Sequence, residues 1–266
     1  MATLRYLGIS FVQIVTDHGK VVYVDPCIEI NPDCPITLDD IDRADLVLVS
    51  HMARDHSSDV IPLMKKTDAK MVCTRDMAFA ALRAGIAEER VKKVTSGVPV
   101  EMAGVRVKCL RTEHGSFSEF EGRPMFDLSL GYIIYVRDGV GVYHVGDTSI
   151  FGDMELFGRL YRPKVMLTPI GMFPGAITEM DPWEAAIATA MVSPEVAIPV
   201  HYDRVNQADY PDRFARHLAT EAPHVKVRLC SQARVLKSEQ FQSADTCLPQ
   251  ASATVMCRAG KAGGTG

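Results

Sequence analysis

The sequence predicts an α/β fold in which two sheets pack face to face between helices, an αββα sandwich. Three observations carry this. The 266-residue chain is 47% hydrophobic, enough apolar content for one sizeable core. Its first half opens with short β-rich runs and continues into a strand covered on both faces and then helices. Its second half repeats that element order without repeating residue identities, so the two-fold character rests on the succession of elements alone.

Leu4 to Leu7, Val12 to Val15 and Val21 to Val24 are β-rich runs separated by turn formers such as Asp17 and Gly19, which predict an antiparallel meander. Ala44 to Val49 (ADLVLV) has the near-continuous hydrophobicity of a strand buried on both faces, and it delivers Ser50 and His51 at its C-terminal end. Helices are predicted at about 59–66 and 76–84, the second stopped by Gly85, which tolerates the left-handed geometry of a C-cap. Strands follow near 91–94, 98–110, 129–136 and 140–145, the last two joined by the hairpin signal Arg137-Asp138-Gly139. Helices and strands then alternate: helix 153–161, strand 164–168, helix 181–191 with Asp181 as N-cap and Pro182 in its first turn, strand 196–200, helix 210–221 and strand 225–229. From Ser238 onward aromatic and β-branched residues thin out and the chain closes with AGKAGGTG, so residues 1–238 read as one domain and 239–266 as a flexible tail.

Charge and cysteine usage narrow the function. With 29 basic and 33 acidic residues the net charge is -4, which lacks the electrostatic footprint of a nucleic-acid binder. No apolar run has the length of a signal peptide core or a bilayer span, so no membrane association is expected. Seven cysteines, at 27, 34, 73, 109, 230, 247 and 257, form no CxxC pair and no disulfide framework, which makes a reducing cytoplasm the expected address.

The chemistry concentrates at strand ends. Ser50-His51-Met52-Ala53-Arg54-Asp55-His56 places three metal-capable side chains within six residues of one loop, with Asp59 just beyond. Glu113-His114-Gly115, Gly146-Asp147-Thr148 and Pro199-Val200-His201-Tyr202 each follow an apolar run, where an imidazole or carboxylate can converge on a common cleft. His144 lies three residues before Asp147 on the same strand and should therefore face away from that cleft. Segment 115–128 (GSFSEFEGRPMFDL) reads as a connection between strands, and its three phenylalanines suit closure over a substrate, packing between subunits of a homo-oligomer, or plugging of the domain's own core.

The order SHxxxDH, His, GDT, PVHY resembles the metallo-β-lactamase superfamily, specifically its branch of small UlaG-like metal-dependent hydrolases. YLGISFVQI, the VDP at Val24 to Pro26, YHVGDTSIF and DPWEAAIATAMVSPEVAIPVHYD extend the resemblance over roughly residues 3 to 236. The chain departs from it twice: the second histidine of HxHxDH is Ala53, and a position often histidine in this branch is Ile9.

The resemblance implies that His51 and His114 belong to one metal subsite, which a histidine at 53 normally completes. Asp55, His56 and His201 belong to the other, and Asp147 bridges them. The intact subsite suits Zn²⁺ and equally Mn²⁺ or Fe²⁺, giving one or two ions per chain. Glu113 and His18 are candidate replacements for the missing imidazole. Asp25, Asp59 and Thr148 are candidate partners for the outer nitrogens of the ligating rings. The implied activity is hydrolysis of a small-molecule lactone, ester, amide or phosphoester by metal-activated water, with Asp55 and Asp147 as catalytic carboxylates and Tyr202 and Phe117 beside the substrate. Asp203 and Arg204 are further residues expected near the cleft. The competing expectation is a non-catalytic metal- or ligand-binding descendant whose first subsite has decayed.

Overall fold

The computed structural model describes residues 1–172, 179–202, 208–229 and 235–237. β1 (Thr3–Gly8), β2 (Phe11–Val15) and β3 (Val21–Val24) form the expected antiparallel meander. β4 (Leu46–Leu48), β5 (Lys70–Cys73) and β6 (Val91–Lys93) then join in parallel, returned by the helices α1 (Arg54–Ser57), α2 (Val60–Lys66) and α3 (Arg75–Arg83). β14 (Val235–Lys237) closes this sheet antiparallel to β1, giving the order β14-β1-β2-β3-β4-β5-β6.

The second sheet has the same plan. β7 (Pro99–Met102), β8 (Val105–Phe120), β9 (Arg123–Arg137) and β10 (Val140–His144) are antiparallel neighbours. β11 (Val165–Pro169), β12 (Val196–Val200) and β13 (Lys226–Val227) follow in parallel, with α4 (Asp153–Tyr161), α5 (Pro182–Val192) and α6 (Tyr210–Glu221) as the crossovers. Each half thus passes from meander to parallel crossovers, and that change of connection puts the C-terminal ends of β3, β4, β10 and β12 on one rim.

Three apolar clusters make the four layers. Leu4, Ile14, Leu48, Val107, Ile134 and Ile198 fill the space between the sheets. Val47, Leu63, Met71 and Met77 seat α2 and α3 on the first sheet, while Tyr143, Met166, Ala186 and Phe214 seat α4 to α6 on the second. α5 begins where the sequence places its cap: the Asp181 carboxylate accepts from the backbone N–H groups of Trp183 and Glu184 at 2.8 and 2.9 Å, and the Glu184 side chain returns to the Asp181 N–H. Among the described residues no helix is long and apolar enough to cross a membrane.

Two expectations are corrected. Segment 98–110 is two strands, because Ala103 and Gly104 turn the chain in left-handed conformations. Segment 115–128 is no connection but the outer part of a β8–β9 ribbon, with Gly115 opposite Leu128 and Phe117 opposite Phe126, turned at Glu121 and Gly122. The period of two is present in the burial of Ser116 against the exposure of Phe117. Phe117, Phe126 and Leu128 are 61–63% exposed, so they do not plug the core. The ladder is interrupted between Arg111 and Gly115, and His114 lies within that irregularity, a device that re-aims a side chain. The tail from Ser238 lies outside the described residues.

Candidate metal centre

Each donor reaches the rim by its own local device. β4 ends at Leu48 and hands Ser50 and His51 to the cleft. Ala53, extended at φ -64 and ψ 148, is the N-cap of α1, whose single turn carries Asp55 and His56 inward and buries both. Gly146, at φ 71, carries no Cβ because one there would stand 2.6 Å from the Leu130 carbonyl oxygen, and the turn it permits presents Asp147. His201 follows β12 in a left-handed conformation, φ 64. Ile9 and Asp25, both on the same rim, are left-handed too, at φ 57 and 49. Such backbone costs roughly 1–3 kcal/mol per residue and persists where the surroundings over-determine it.

The six residues expected from the sequence are brought together. The Nε2 atoms of His56 and His201 lie 3.2 Å apart, and both face the Asp147 carboxylate, at 3.1 and 3.5 Å from Oδ2. Asp55 Oδ2 stands 3.9 Å from His56 Nε2 and 3.6 Å from His201 Nε2. His51 Nε2 is 3.9 Å from Asp147 Oδ2, and the His114 ring meets the His51 ring edge-on at 4.9 Å between centroids. Two groups, His51-His114-Asp147 and Asp55-His56-His201, have donor atoms within 4.8 Å of one another, a spread one ion can bridge. A third group, Asp147-Glu179-His201, includes a carboxylate that the sequence did not single out.

The outer nitrogens are held from behind. His56 Nδ1 lies 2.9 Å from Asp25 Oδ2, and the same carboxylate accepts from the Ser50 N–H and hydroxyl at 2.7 Å each. Because Ser50 commits its proton to Asp25, its oxygen can only accept from His51 Nδ1, 3.1 Å away. His201 Nδ1 is 2.9 Å from Glu179 Oε2. The His56 and His51 rings therefore have Nδ1 hydrogen-bonded from behind, the arrangement that fixes a ligating tautomer, while the contact of His201 with Glu179 is a close ion pair without hydrogen-bond alignment; all three Nε2 atoms turn to one centre. His144 is buried behind this layer, its Nε2 3.1 Å from the Ser10 carbonyl oxygen and 4.0 Å from Asp25.

Other expected supports do different work. Asp59 accepts from the N–H groups of Ile28 and Glu29 and from the Ser58 hydroxyl, pinning the turn after Pro26 rather than a ring. Thr148 accepts from the Glu113 N–H and donates to the Ser149 carbonyl, so it steadies the strand beside His114. Glu113 does not replace the missing imidazole, since its carboxylate pairs with Arg111 near the surface. Nor does His18: it is exposed in the β2–β3 turn, at the end of those antiparallel strands remote from Asp25. Tyr202 stacks on Tyr6 at 6.4 Å between ring centroids, and Asp203 and Arg204 lie outside the described residues.

The electrostatics ask for a cation. Burial works against a charged ring at His56 and His201, yet Asp147, with Asp55 and Asp25 at the first and Glu179 at the second, holds both pKa values well above the ordinary range. Burial also opposes ionisation of Asp147, but His201 and His56 hold its carboxyl well below the usual range. His51 is pushed down to about 3 by burial and by His56, which leaves it neutral. Asp147 Oδ1 is buried without a hydrogen-bond partner among the described residues. Three buried aspartates, Asp25, Asp55 and Asp147, with Glu179 beside them, imidazole nitrogens turned inward and an orphaned carboxylate oxygen are the donor chemistry of a divalent transition-metal site, where an ion would take the place of the protons on His56 and His201, and the residues present fit one.

Comparison with known proteins agrees. The model of the β-lactamase superfamily domain matches residues 20–202. The chain is 34% identical over 239 residues to a metal-dependent hydrolase of Caldivirga maquilingensis, covering 89% of this chain and 98% of that protein. It is 35% identical over 237 residues to a metal-dependent hydrolase of Nitratidesulfovibrio vulgaris, covering 88% and 94%. Among solved structures, a metallo hydrolase from the archaeon Ignicoccus hospitalis superposes with a TM-score of 0.74 at 29% identity, covering 88% of this chain and 97% of that one.

Proposed function

The chain belongs to the β-lactamase superfamily, and from that membership we propose a metal-dependent hydrolase that cleaves a small-molecule lactone, ester, amide or phosphoester. The observation that carries the reading is the convergence of His56 Nε2, His201 Nε2, Asp55 and Asp147 on one buried centre, with the His56 ring hydrogen-bonded to Asp25 from behind and Glu179 close to the back of the His201 ring. These four residues hold the principal ion. His51 and His114, with Asp147 shared, form a second position that Ala53 leaves one imidazole short. The donors suit Zn²⁺, Mn²⁺ or Fe²⁺.

A divalent ion there supplies Lewis acidity and makes water nucleophilic at neutral pH. The chain's residues do the rest. Asp25 and Ser50 keep the His56 and His51 imidazoles in one tautomer and orientation, and the Glu179 carboxylate beside His201 Nδ1 steadies the third ring by charge. Asp147 has an uncommitted Oδ1 with which to orient water and hold its proton, and Asp55 is the alternative carboxylate for that proton. Tyr202, beside His201, and Phe117, exposed on the ribbon three residues past His114, contact the substrate in this reading. The ribbon's apolar face also suits a homo-oligomer contact, and the free cysteines at 27, 34, 73 and 109 suit a reducing cytoplasm.

Ala53 favours a second reading, a metal-binding descendant without turnover. Elemental analysis of the purified protein, with a panel of lactones, esters and phosphodiesters, separates the two. The expected result is close to one tightly held ion per chain with turnover of at least one ester class, both lost in His56→Ala and His201→Ala. Full metal and turnover in His201→Ala would overturn the site; bound metal with no turnover across the panel would favour the descendant.

A further inference from the structure

We propose that Tyr6 is a positioning residue of the metal centre, acting through the backbone of His201. The inference rests on the assignment of His201 as a ligand and goes beyond it. His201 is a side chain in a left-handed conformation immediately after a strand, and its ring direction follows from that turn. Its peptide is gripped on both sides. The His201 N–H donates to the Ile9 carbonyl at 2.8 Å and also lies 3.3 Å from the Tyr6 hydroxyl oxygen, while the Tyr6 O–H donates to the same Ile9 carbonyl at 2.9 Å. On the other side, the His201 carbonyl packs so closely on Gly171 that a Cβ there would collide with it.

The Tyr6 hydroxyl is thus the node of a three-membered network that ties β1 of the first sheet to the residue after β12 of the second. Ile9 is a β-branched residue at φ 57, the kind least tolerant of that region, and in that conformation its carbonyl accepts from the His201 N–H. Two strained residues face each other across the sheet junction, and the phenol holds both. Tyr6 is itself buried and its ring stacks on that of Tyr202, so its hydroxyl can be removed while the ring's packing stays. Without the hydroxyl, the turn at His201 is held by one hydrogen bond and Nε2 is less sharply aimed at Asp55 and Asp147.

The test is Tyr6→Phe. Outer residues that orient ligands typically change metal affinity 10–100-fold when altered. Titration of the metal-free protein with Zn²⁺ and with Mn²⁺ against a competing chelator should give a dissociation constant at least ~10-fold weaker in Tyr6→Phe, with the melting temperature of the metal-free form nearly unchanged. His201→Ala is measured in parallel. Loss of metal in His201→Ala with affinity within twofold of the parent in Tyr6→Phe would overturn this proposal alone; full metal in His201→Ala would overturn the assignment on which it rests. Should Tyr6→Phe fail to fold, the Tyr6 hydroxyl proton of the parent decides by NMR. A hydroxyl resonance protected from exchange with water supports the network, and a hydroxyl proton exchanging at the open rate sinks it.

Discussion

Asp25 Oδ2 stands 2.9 Å from His56 Nδ1, and both side chains are fully buried. The carboxylate therefore aims the ring from behind while His56 Nε2 faces Asp147. Asp25→Asn keeps the shape and removes the charge that favours the Nδ1–H tautomer. Metal affinity should fall ~10–100-fold, measured by chelator competition. Unchanged affinity would mean that the pair is only packing.

Ala53 separates adaptation from loss. Ala53→His restores an imidazole two residues from His51, and bound metal should rise toward two ions per chain by elemental analysis. If the protein has adapted to the open position, turnover of its own substrate falls as metal content rises; if it is disabled, general esterase or phosphodiesterase activity grows. No change in metal content would show that residue 53 does not face the centre.

The metal-free protein should be most stable near pH 6.5. His51 and His144 have lowered pKa values, and Asp25, Asp55 and Asp147 do too, so stability is lost as pH falls below the unfolded values of these groups. His56 and His201 have raised values, so their contribution is complete below about 6.5 and is lost as pH climbs through their folded values. Each titrating group adds a slope of up to about 1.4 kcal/mol per pH unit. Melting temperatures of the chelated protein should decline from pH 7 to 9, and saturating metal should abolish the decline, because the ion replaces the protons. A flat metal-free profile would contradict the charge assignment.

Two glycines distinguish site strain from fold strain. A Cβ on Gly171 would collide with the His201 carbonyl oxygen, and one on Gly158 with the Val192 backbone at the α4–α5 contact. Either change to alanine should destabilise the metal-free fold by roughly 1–3 kcal/mol in chemical denaturation. Only Gly171→Ala should also weaken metal binding, since only it moves a donor. Equal metal affinity in both variants would refute the distinction.

The sequence made the strand-end donors legible because an apolar run ending in a histidine or aspartate is a local pattern. β4 before His51 and β12 before His201 both show it. α5 was readable from its cap, Asp181 followed by Pro182. What stayed hidden was tertiary. α1 is too short to show periodicity, yet it turns Asp55 and His56 inward. The outer β8–β9 ribbon mixes exposed aromatics with buried serines, which inverts the pattern by which strands are recognised. Glu179 follows no regular run before α5, and only the fold brings it to His201; its place just before a helix cap near a cleft was the sole available signal. Asp59 and Asp25 look alike in sequence, and only the hydrogen bonds assign one to a turn and the other to a ring.

The division of donors between the two sheets has a kinetic consequence. His51, Asp55 and His56 come from the first half of the chain, whereas His114, Asp147 and His201 come from the second, so neither half offers an ion a closed set of partners. Contacts so distant along the chain form late, after the loops that separate them have closed. A metal that needs both halves docked has nothing to grip in the folding transition state, so it should leave the refolding rate untouched and act as a clasp that slows unfolding. Stopped-flow refolding and unfolding with and without metal measure this directly, and acceleration of refolding by the ion would place the donors together earlier than their separation along the chain implies.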